Sequence, residues 1–264
     1  MAVIRGGEPG AMTRRAVAEL GGIGRFVRRG DVVVLKPNAA WDRTPEQAAN
    51  TNPQVVAEIA RLCREAGARR VIVTDVSIDD ARRTFARSGI AAAAREAGAE
   101  VVLPEAGLFR RVDLGGEVLR SWPVLRAFLE ADKIINLPVA KHHSLTGASL
   151  GIKNWYGILG GPRYQLHQRI HESLADLAAF LRPTLTVLDG YRVLVRNGPG
   201  GGGAGDAELK RTIAAATDPV ALDAWAAKEW WDLDPRTLRY LALAAERDLG
   251  NPDFARVRTR FVTV

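Results

Sequence analysis

Apolar residues along the chain alternate between short continuous runs and a spacing of three to four. Residues 31–35, Asp-Val-Val-Val-Leu, form a β-branched run after Gly30, the composition of a strand buried on both faces. Asn52-Pro53 then opens a helix: Asn52 is a suitable N-cap and Pro53 stands at the first helical position. Val56, Ile59, Ala60 and Cys63 recur at helical spacing, and Gly67 closes the segment. Val71-Ile72-Val73 follows as a second strand and ends at Thr74-Asp75.

The same alternation continues. A helix is expected over 81–97 up to Gly98, a strand over 100–103, a helix around 124–130 and a strand over 133–135. A helix starting near His167 and running to Leu181 leads to a strand over 185–188, which ends at Asp189-Gly190. Residues 212–217 read as a strand, Asp218-Pro219 as the start of a helix through Trp225, and 235–247 as another helix. Residues 261–264 read as a final edge strand. Strands alternating with helices predict an α/β protein with a mostly parallel, doubly wound sheet and helices on both faces, three layers in all. Residues 1–264 are expected to form a single domain or two intimate lobes.

Composition changes this picture in few places. The run 197–205, Asn-Gly-Pro-Gly-Gly-Gly-Gly-Ala-Gly, lacks the Gly-Lys-Ser/Thr of a phosphate-binding P-loop. It reads as a flexible surface loop or as a lid over a site. The single cysteine, Cys63, excludes a four-cysteine iron–sulfur cluster within these residues and fits a core position. The net charge of +7 comes largely from arginine pairs such as Arg14-Arg15, Arg69-Arg70 and Arg110-Arg111. They read as a solvated surface, and nucleic acid is an unlikely partner. Arg14-Arg15 precedes no apolar run of export-signal type, and no stretch has the length of a membrane span, so a cytoplasmic protein is expected. Trp230-Trp231 fits a core or a homodimer interface.

Polar residues stand where the strands end. In an open parallel sheet, ligands bind beyond the carboxyl ends of the strands. Lys36-Pro37-Asn38 follows the first strand, Asp75 the second, Asn136 the fourth and Asp189 the fifth. The segment from Asn136 onward concentrates more chemistry: His142, His143, His167 and His171 are the four histidines of the chain, with Lys141, Lys153, Asn154 and Arg163 among them. Lysines as point charges and arginine as a fork suit an anionic ligand. Trp155-Tyr156 lies in the same segment as a candidate pocket wall. His167 and His171 are four apart, the spacing at which helical histidines hold a metal. With His143 they form a candidate site for iron, manganese or zinc, and Asp75 or Asp189 could complete it. Acid–base or substrate-orienting roles for the histidines are equally open.

These residues also carry a family resemblance. Lys36-Pro37-Asn38, the run Asn136-Leu137-Pro138 through Lys141 and His143, and Thr146-Gly147 through Gly151, Lys153-Asn154 and Gly157 resemble the family named domain of unknown function 362 (DUF362). Arg163, His167, His171, Asp176, Leu185 through Asp189-Gly190, and Asp218-Pro219 through Asp223 match it as well. The resemblance spans about Gly21 to Trp230. It implies a common site without naming a reaction. Many members carry ferredoxin-type cysteine clusters, which this sequence lacks, and His142 stands where members often have Thr.

The leading expectation is an enzyme for a small carboxylate or phosphate. His143, Lys153, Asp75 and Asp189 are its candidate catalytic residues; Lys36, Asn38, Asn136, Lys141, Asn154 and Arg163 would bind the substrate. His143, His167 and His171 are the candidate metal ligands. A non-catalytic binder of a cofactor or metabolite uses the same residues, and a nucleic-acid binder rests on charge alone.

Overall fold

The computed structural model describes residues 1–201 and 203–264. In chain order its main elements are β1 (Ala2–Arg5), α1 (Pro9–Glu19), β2 (Val32–Pro37), α2 (Pro53–Glu65), β3 (Arg70–Val73), α3 (Ala81–Arg87), α4 (Ile90–Glu96) and β4 (Glu100–Val101). Then come β5 (Phe109–Asp113), β6 (Ser121–Leu125), α5 (Arg126–Leu129), β7 (Lys133–Leu137), β8 (Val139–His143), β9 (Gly147–Ser149) and α6 (Gly151–Asn154). The remainder is α7 (Ile170–Phe180), β10 (Leu185–Leu194), β11 (Ala207–Ala216), α8 (Pro219–Trp231), α9 (Arg239–Glu246) and β12 (Arg260–Thr263).

The main sheet runs in the order β12-β1-β11-β10-β7-β2-β3-β4, and β8 pairs with β10 and β9 beside this path. The pairs β7–β2, β2–β3, β3–β4 and β7–β10 are parallel; β11 is antiparallel to both β10 and β1. From β2 the chain winds outward through β3 to β4. From β7 it winds the other way, to β10. The β2–β7 boundary is therefore the switch point of the sheet, where a crevice opens at the carboxyl ends of the strands.

Two cores line the sheet, as period-two alternation requires. Val33, Leu35, Val71, Val73, Ile135 and Leu137 face the layer built with α1, α2 and α4. Val34, Ile72, Ile134 and Leu188 face the layer that contains α7, α8 and α9. This is the three-layer α/β/α arrangement expected from the alternation. The caps also form as read: Asn52 accepts a hydrogen bond from the Gln54 N–H, and Asp218 accepts one from Ala221.

Several boundaries differ from the expectation. The helix over 81–97 is two helices, because Gly89 takes φ +75°, a left-handed conformation that interrupts a right-handed helix. The strand over 100–103 is two residues long. The segment expected as helix 124–130 begins as β6, paired with β5 in a hairpin, and only Arg126–Leu129 is helical. Pro123 lies inside that strand, opposite Arg111 of β5, and its carbonyl accepts from the Gly160 N–H at 2.9 Å. The strand β11 begins five residues earlier than read, and α8 extends to Trp231. Residues β1 and α1 carry no cue that the alternation picks out, yet β1 is an interior strand between β11 and β12.

Candidate functional site

Strand parity aims the site. Lys36 and Asn136 are register partners at the carboxyl ends of β2 and β7. Alternation puts both on the same face as Val34 and Ile134, under α6. The hairpin of β8 and β9 presents Lys141 and His143 two residues apart on one side, with His142 on the other. Asp223 of α8 fixes α6: its two carboxylate oxygens accept from the N–H groups of Gly151 and Ile152 at 2.8 and 2.9 Å. That contact sets the helical turn carrying Lys153 and Asn154. Burial pushes the Asp223 carboxyl up to about 7.

An asparagine chain ties these ends together. Asn154 Nδ2 donates to Asn136 Oδ1 (2.8 Å) and to the Lys36 carbonyl (3.2 Å), and Asn154 Oδ1 accepts from Asn38 Nδ2 (3.0 Å). Asn136 Nδ2 donates to the Gly151 carbonyl at 2.9 Å. The amides thus hold one another and the lysines. Asn136 is fully buried and lies outside the pocket lining, so its role is positional.

Lys36 Nζ donates to Asn154 Oδ1 (3.0 Å) and the Pro37 carbonyl (2.9 Å), and it lies 2.7 Å from Asp75 Oδ1. Of the three N–H groups of this ammonium, two make these hydrogen bonds, and the Asp75 carboxylate pairs with its charge. Burial lowers the Lys36 pKa and the Asp75 charge opposes that shift. The other Asp75 oxygen accepts from the Ala39 N–H at 2.6 Å. Gly157 closes over this pair. A Cβ there would sit 1.8 Å from Asp75 Oδ1 and 2.5 Å from Lys36 Nζ, so space, and not backbone conformation, demands glycine.

The remaining cations are less occupied. Lys141 Nζ donates to Asn38 Oδ1 (2.9 Å) and the Ala49 carbonyl (2.8 Å), which leaves one N–H. Burial, together with Lys153, lowers its pKa to about 7. Lys153 has neither a hydrogen bond nor an ion pair among the described residues. Its ammonium lies 5.2 Å from the Tyr156 ring centroid, and burial followed by the Arg163 charge lowers its pKa to about 8. Arg163 donates to the carbonyls of Tyr156 (3.0 Å) and Ser77 (2.6 Å), two of its five N–H groups.

All four cations border one pocket, of about 700 Å³ including its open mouth. Asp75 is the carboxylate among its lining residues; Asn38, His143, Ser149, Asn154 and His167 add polar groups, and Trp41, Val76, Ile78 and Tyr156 form an apolar wall. Tyr156 therefore walls the pocket as expected, whereas Trp155 is buried in the core. Trp41, Ser149 and Val76 escaped the sequence reading because they sit in loops or strands without a charge or repeat to mark them. Pro199 of the glycine run also lines the pocket. A Cβ on Gly198 would lie 2.0 Å from the His142 carbonyl and one on Gly200 3.2 Å from the Trp41 ring, so both positions are closely packed. Gly202 lies outside the described residues.

The histidines do not assemble as a metal site. His143 and His167 line the pocket, but His171 stacks on Tyr240 with ring centroids 6.5 Å apart. The cause is local: residues 163–169 form a 3₁₀ helix and α7 starts only at Ile170. At three residues per turn, positions four apart diverge around the axis. Among the described residues no three His, Cys, Asp or Glu side chains lie close enough to hold an ion. His143 Nδ1 accepts from the Leu145 N–H at 3.2 Å. That places the ring proton on Nε2, the reverse of a histidine that binds metal through Nε2 and donates from Nδ1. Burial, with Lys153 next, lowers the His143 pKa to about 3, so the ring is a neutral donor at ordinary pH.

Asp189 is not in the pocket. It shares the parity of Val187, facing α2, and accepts from the N–H groups of Asn52 (2.7 Å) and Tyr191 (3.0 Å). Burial raises its carboxyl to about 6. Its place at a strand end is as expected; its side chain anchors the loop leading into α2.

Among the described residues no helix is long and apolar enough to cross a membrane. A relative from Synechocystis, a thylakoid-associated protein, is 30% identical over 254 residues, covering 93% of this chain and 76% of its own. Two solved structures have similar chain traces at low identity. One is a Thermotoga maritima protein (12% identity, TM-score 0.46, 91% of this chain and 60% of the other). The second is the lactate racemase apoprotein of Thermoanaerobacterium thermosaccharolyticum (13% identity, TM-score 0.49, 86% and 56%). This chain thus spans less than two thirds of either structure. The model of the domain of unknown function DUF362 matches residues 33–228, which contain every residue of the pocket described above, and the chain belongs to that family.

Proposed function

We propose that this chain is an enzyme that holds a small carboxylate or phosphate and acts on it by proton transfer. The observation that carries the reading is the imbalance of charge in the pocket. Lys36, Lys141, Lys153 and Arg163 border it with one carboxylate, Asp75, and that carboxylate is paired to Lys36. Lys153, Arg163 and the free N–H of Lys141 are left facing a space that an anion would neutralise.

Within this reading the roles divide by what each group has free. Lys36 and Asp75 lock the sheet ends together and contribute little to substrate contact. Lys153 and Arg163 hold the anionic group. Lys141, with a pKa near neutrality, carries a lone pair on a sizeable fraction of molecules at pH 7 and serves as general base, returning the proton as ammonium. Neutral His143 donates from Nε2. The two lysines interact, so their titration belongs to the pair. The expected kcat/KM profile rises through about pH 7 as Lys141 loses its proton and falls above about pH 8 as Lys153 does.

The test begins with the ligand. Protein purified without a histidine tag is denatured and the released small molecules are identified by mass spectrometry, and candidate carboxylates are incubated with the protein in D₂O. Proton transfer at carbon appears as deuterium uptake in the NMR spectrum, absent in a folded Lys141→Met variant. A retained anion with no exchange or turnover in any candidate would make this a binding protein. Equal exchange in the variant would remove Lys141 from the chemistry. We keep the cytoplasm as its compartment in this reading; cell fractionation tests that against the thylakoid association of the Synechocystis relative.

A further inference from the structure

Among the described residues, three of the six large apolar side chains that stand exposed lie on the segments that build the pocket. Ile78 (59% exposed) is itself a lining residue. Leu145 (55%) sits on the turn whose N–H reaches His143, and Tyr164 (71%) lies between Arg163 and His167, with its carbonyl 3.2 Å from the His167 ring. The others, Leu209, Phe261 and Val264, belong to β11 and the chain end. Inside the mouth, Trp41, Val76 and Tyr156 continue the apolar surface inward toward the lysines. A single exposed apolar side chain is ordinary, but three on the segments that build one pocket offer surface that an apolar ligand group could cover.

We propose that the substrate is an amphiphile: an anionic head held by Lys153 and Arg163, and an apolar tail of several carbons running outward along Trp41 and Ile78. This rests on the anion reading above and adds the second half of the ligand. The enclosed part of the pocket, about 180 Å³, has room for an anionic head and the first carbons of a chain, and the rest of the tail would lie along the open mouth. Lys36, Lys141 and Asn154 are buried whereas Ile78 is exposed, which places an anionic head inward and a tail outward.

The experiment is a calorimetric titration of the full chain with straight-chain carboxylates from acetate to octanoate, and with the alkyl phosphates of the same lengths, below their micelle concentrations. The expected result is a Kd that falls about fourfold per added methylene up to a limiting length. In Ile78→Ser and Trp41→Ala the dependence on length flattens while the shortest members bind as in the wild type. In Lys153→Met every member weakens by a similar factor and the length dependence survives. An alcohol with the tail of octanoate binds at least tenfold more weakly than octanoate. Affinity independent of length overturns the amphiphile and leaves the anion reading standing. Equal binding of the alcohol, or no effect of Lys153→Met, overturns the anion reading itself. Circular dichroism of each variant separates loss of binding from loss of fold.

Discussion

Asp75 and Asp189 occupy equivalent places, each just past or within the carboxyl end of a parallel strand, yet they serve different ends. Asp75 pairs with the Lys36 ammonium at 2.7 Å and borders the pocket under α6. Asp189 points to the opposite face of the sheet and meets no cation among the described residues; two backbone N–H groups satisfy it at the entrance to α2. The end of the strand decides between them. Asp189 lies within β10 and keeps the parity of Val187, facing α2. Asp75 lies two residues past the end of β3, where the chain has left the parity of Val71 and Val73 and turns the side chain to Lys36. A carboxylate at a strand end is thus a candidate only once its face is known. Binding groups gather on the α6 face, and the α2 face closes the fold.

The first way to break this comparison is to remove one partner of the pair. Lys36→Met leaves Asp75 buried without its cation and is expected to cost about 3–5 kcal/mol, read by urea denaturation. Adding Asp75→Asn to that variant should recover much of the loss, because the uncompensated charge is gone. A Lys36→Met cost below about 1 kcal/mol would mean that water reaches Asp75.

Gly157→Ala comes next. Its Cβ would fall on the ion pair, so Asp75 or the 155–158 turn must shift, at about 1–3 kcal/mol. The same shift moves Lys153 relative to Lys141 and should weaken anion binding, whereas Gly10→Ala, with nothing within 4 Å, should do neither.

On the other face, Asp189→Asn keeps only one of two acceptors and is expected to cost about 1–3 kcal/mol while leaving oxalate affinity unchanged. The sign of its pH dependence can be worked out. Burial raises the folded pKa to about 6 from an ordinary 3.8. Its contribution is therefore fully present below the ordinary value and is lost as pH rises through about 6. The wild type should lose stability relative to Asp189→Asn between about pH 4 and 6, a trend seen by denaturation at successive pH values.

The smallest effect is expected from His171→Phe. The ring stacks on Tyr240 and its Nδ1 is buried without a partner, so an aromatic replacement should change stability by less than about 1 kcal/mol and leave metal content unaltered. Loss of a bound metal in that variant would revive the histidine site.

Much of this site was legible because strand ends announce themselves. Lys36, Asn38 and Asp75 follow apolar runs, and Lys141, His143, Lys153, Asn154 and Arg163 crowd one segment; all of them line the pocket. What could not be read is direction and local helix type. Nothing in the spacing of His167 and His171 distinguishes a 3₁₀ turn from an α-helix, and that difference separates them. Asn136 and Lys36 look like substrate ligands until their hydrogen-bond partners are counted. Asp223 shares the motif beginning at Asp218-Pro219, but its grip on α6 depends on packing between elements distant in sequence. The β5–β6 hairpin was missed for a related reason, since Trp122 through Leu125 is apolar in a way that fits helix or strand equally.

The central claim is that an anion is held by Lys153 and Arg163, whose charges burial disfavours while the pocket is empty. Calorimetric titration with oxalate, fully ionised throughout, from pH 6.5 to 9 in buffers of different ionisation enthalpy tests it most directly. Burial lowers the pKa of Lys153 to about 8, and a bound anion raises it again. The account predicts net proton uptake on binding near pH 7.5 and a Kd that weakens as pH rises through about 8, both diminished in Lys153→Met. Binding without proton uptake, with the same affinity at pH 6.5 and 9 and in the variant, would contradict it.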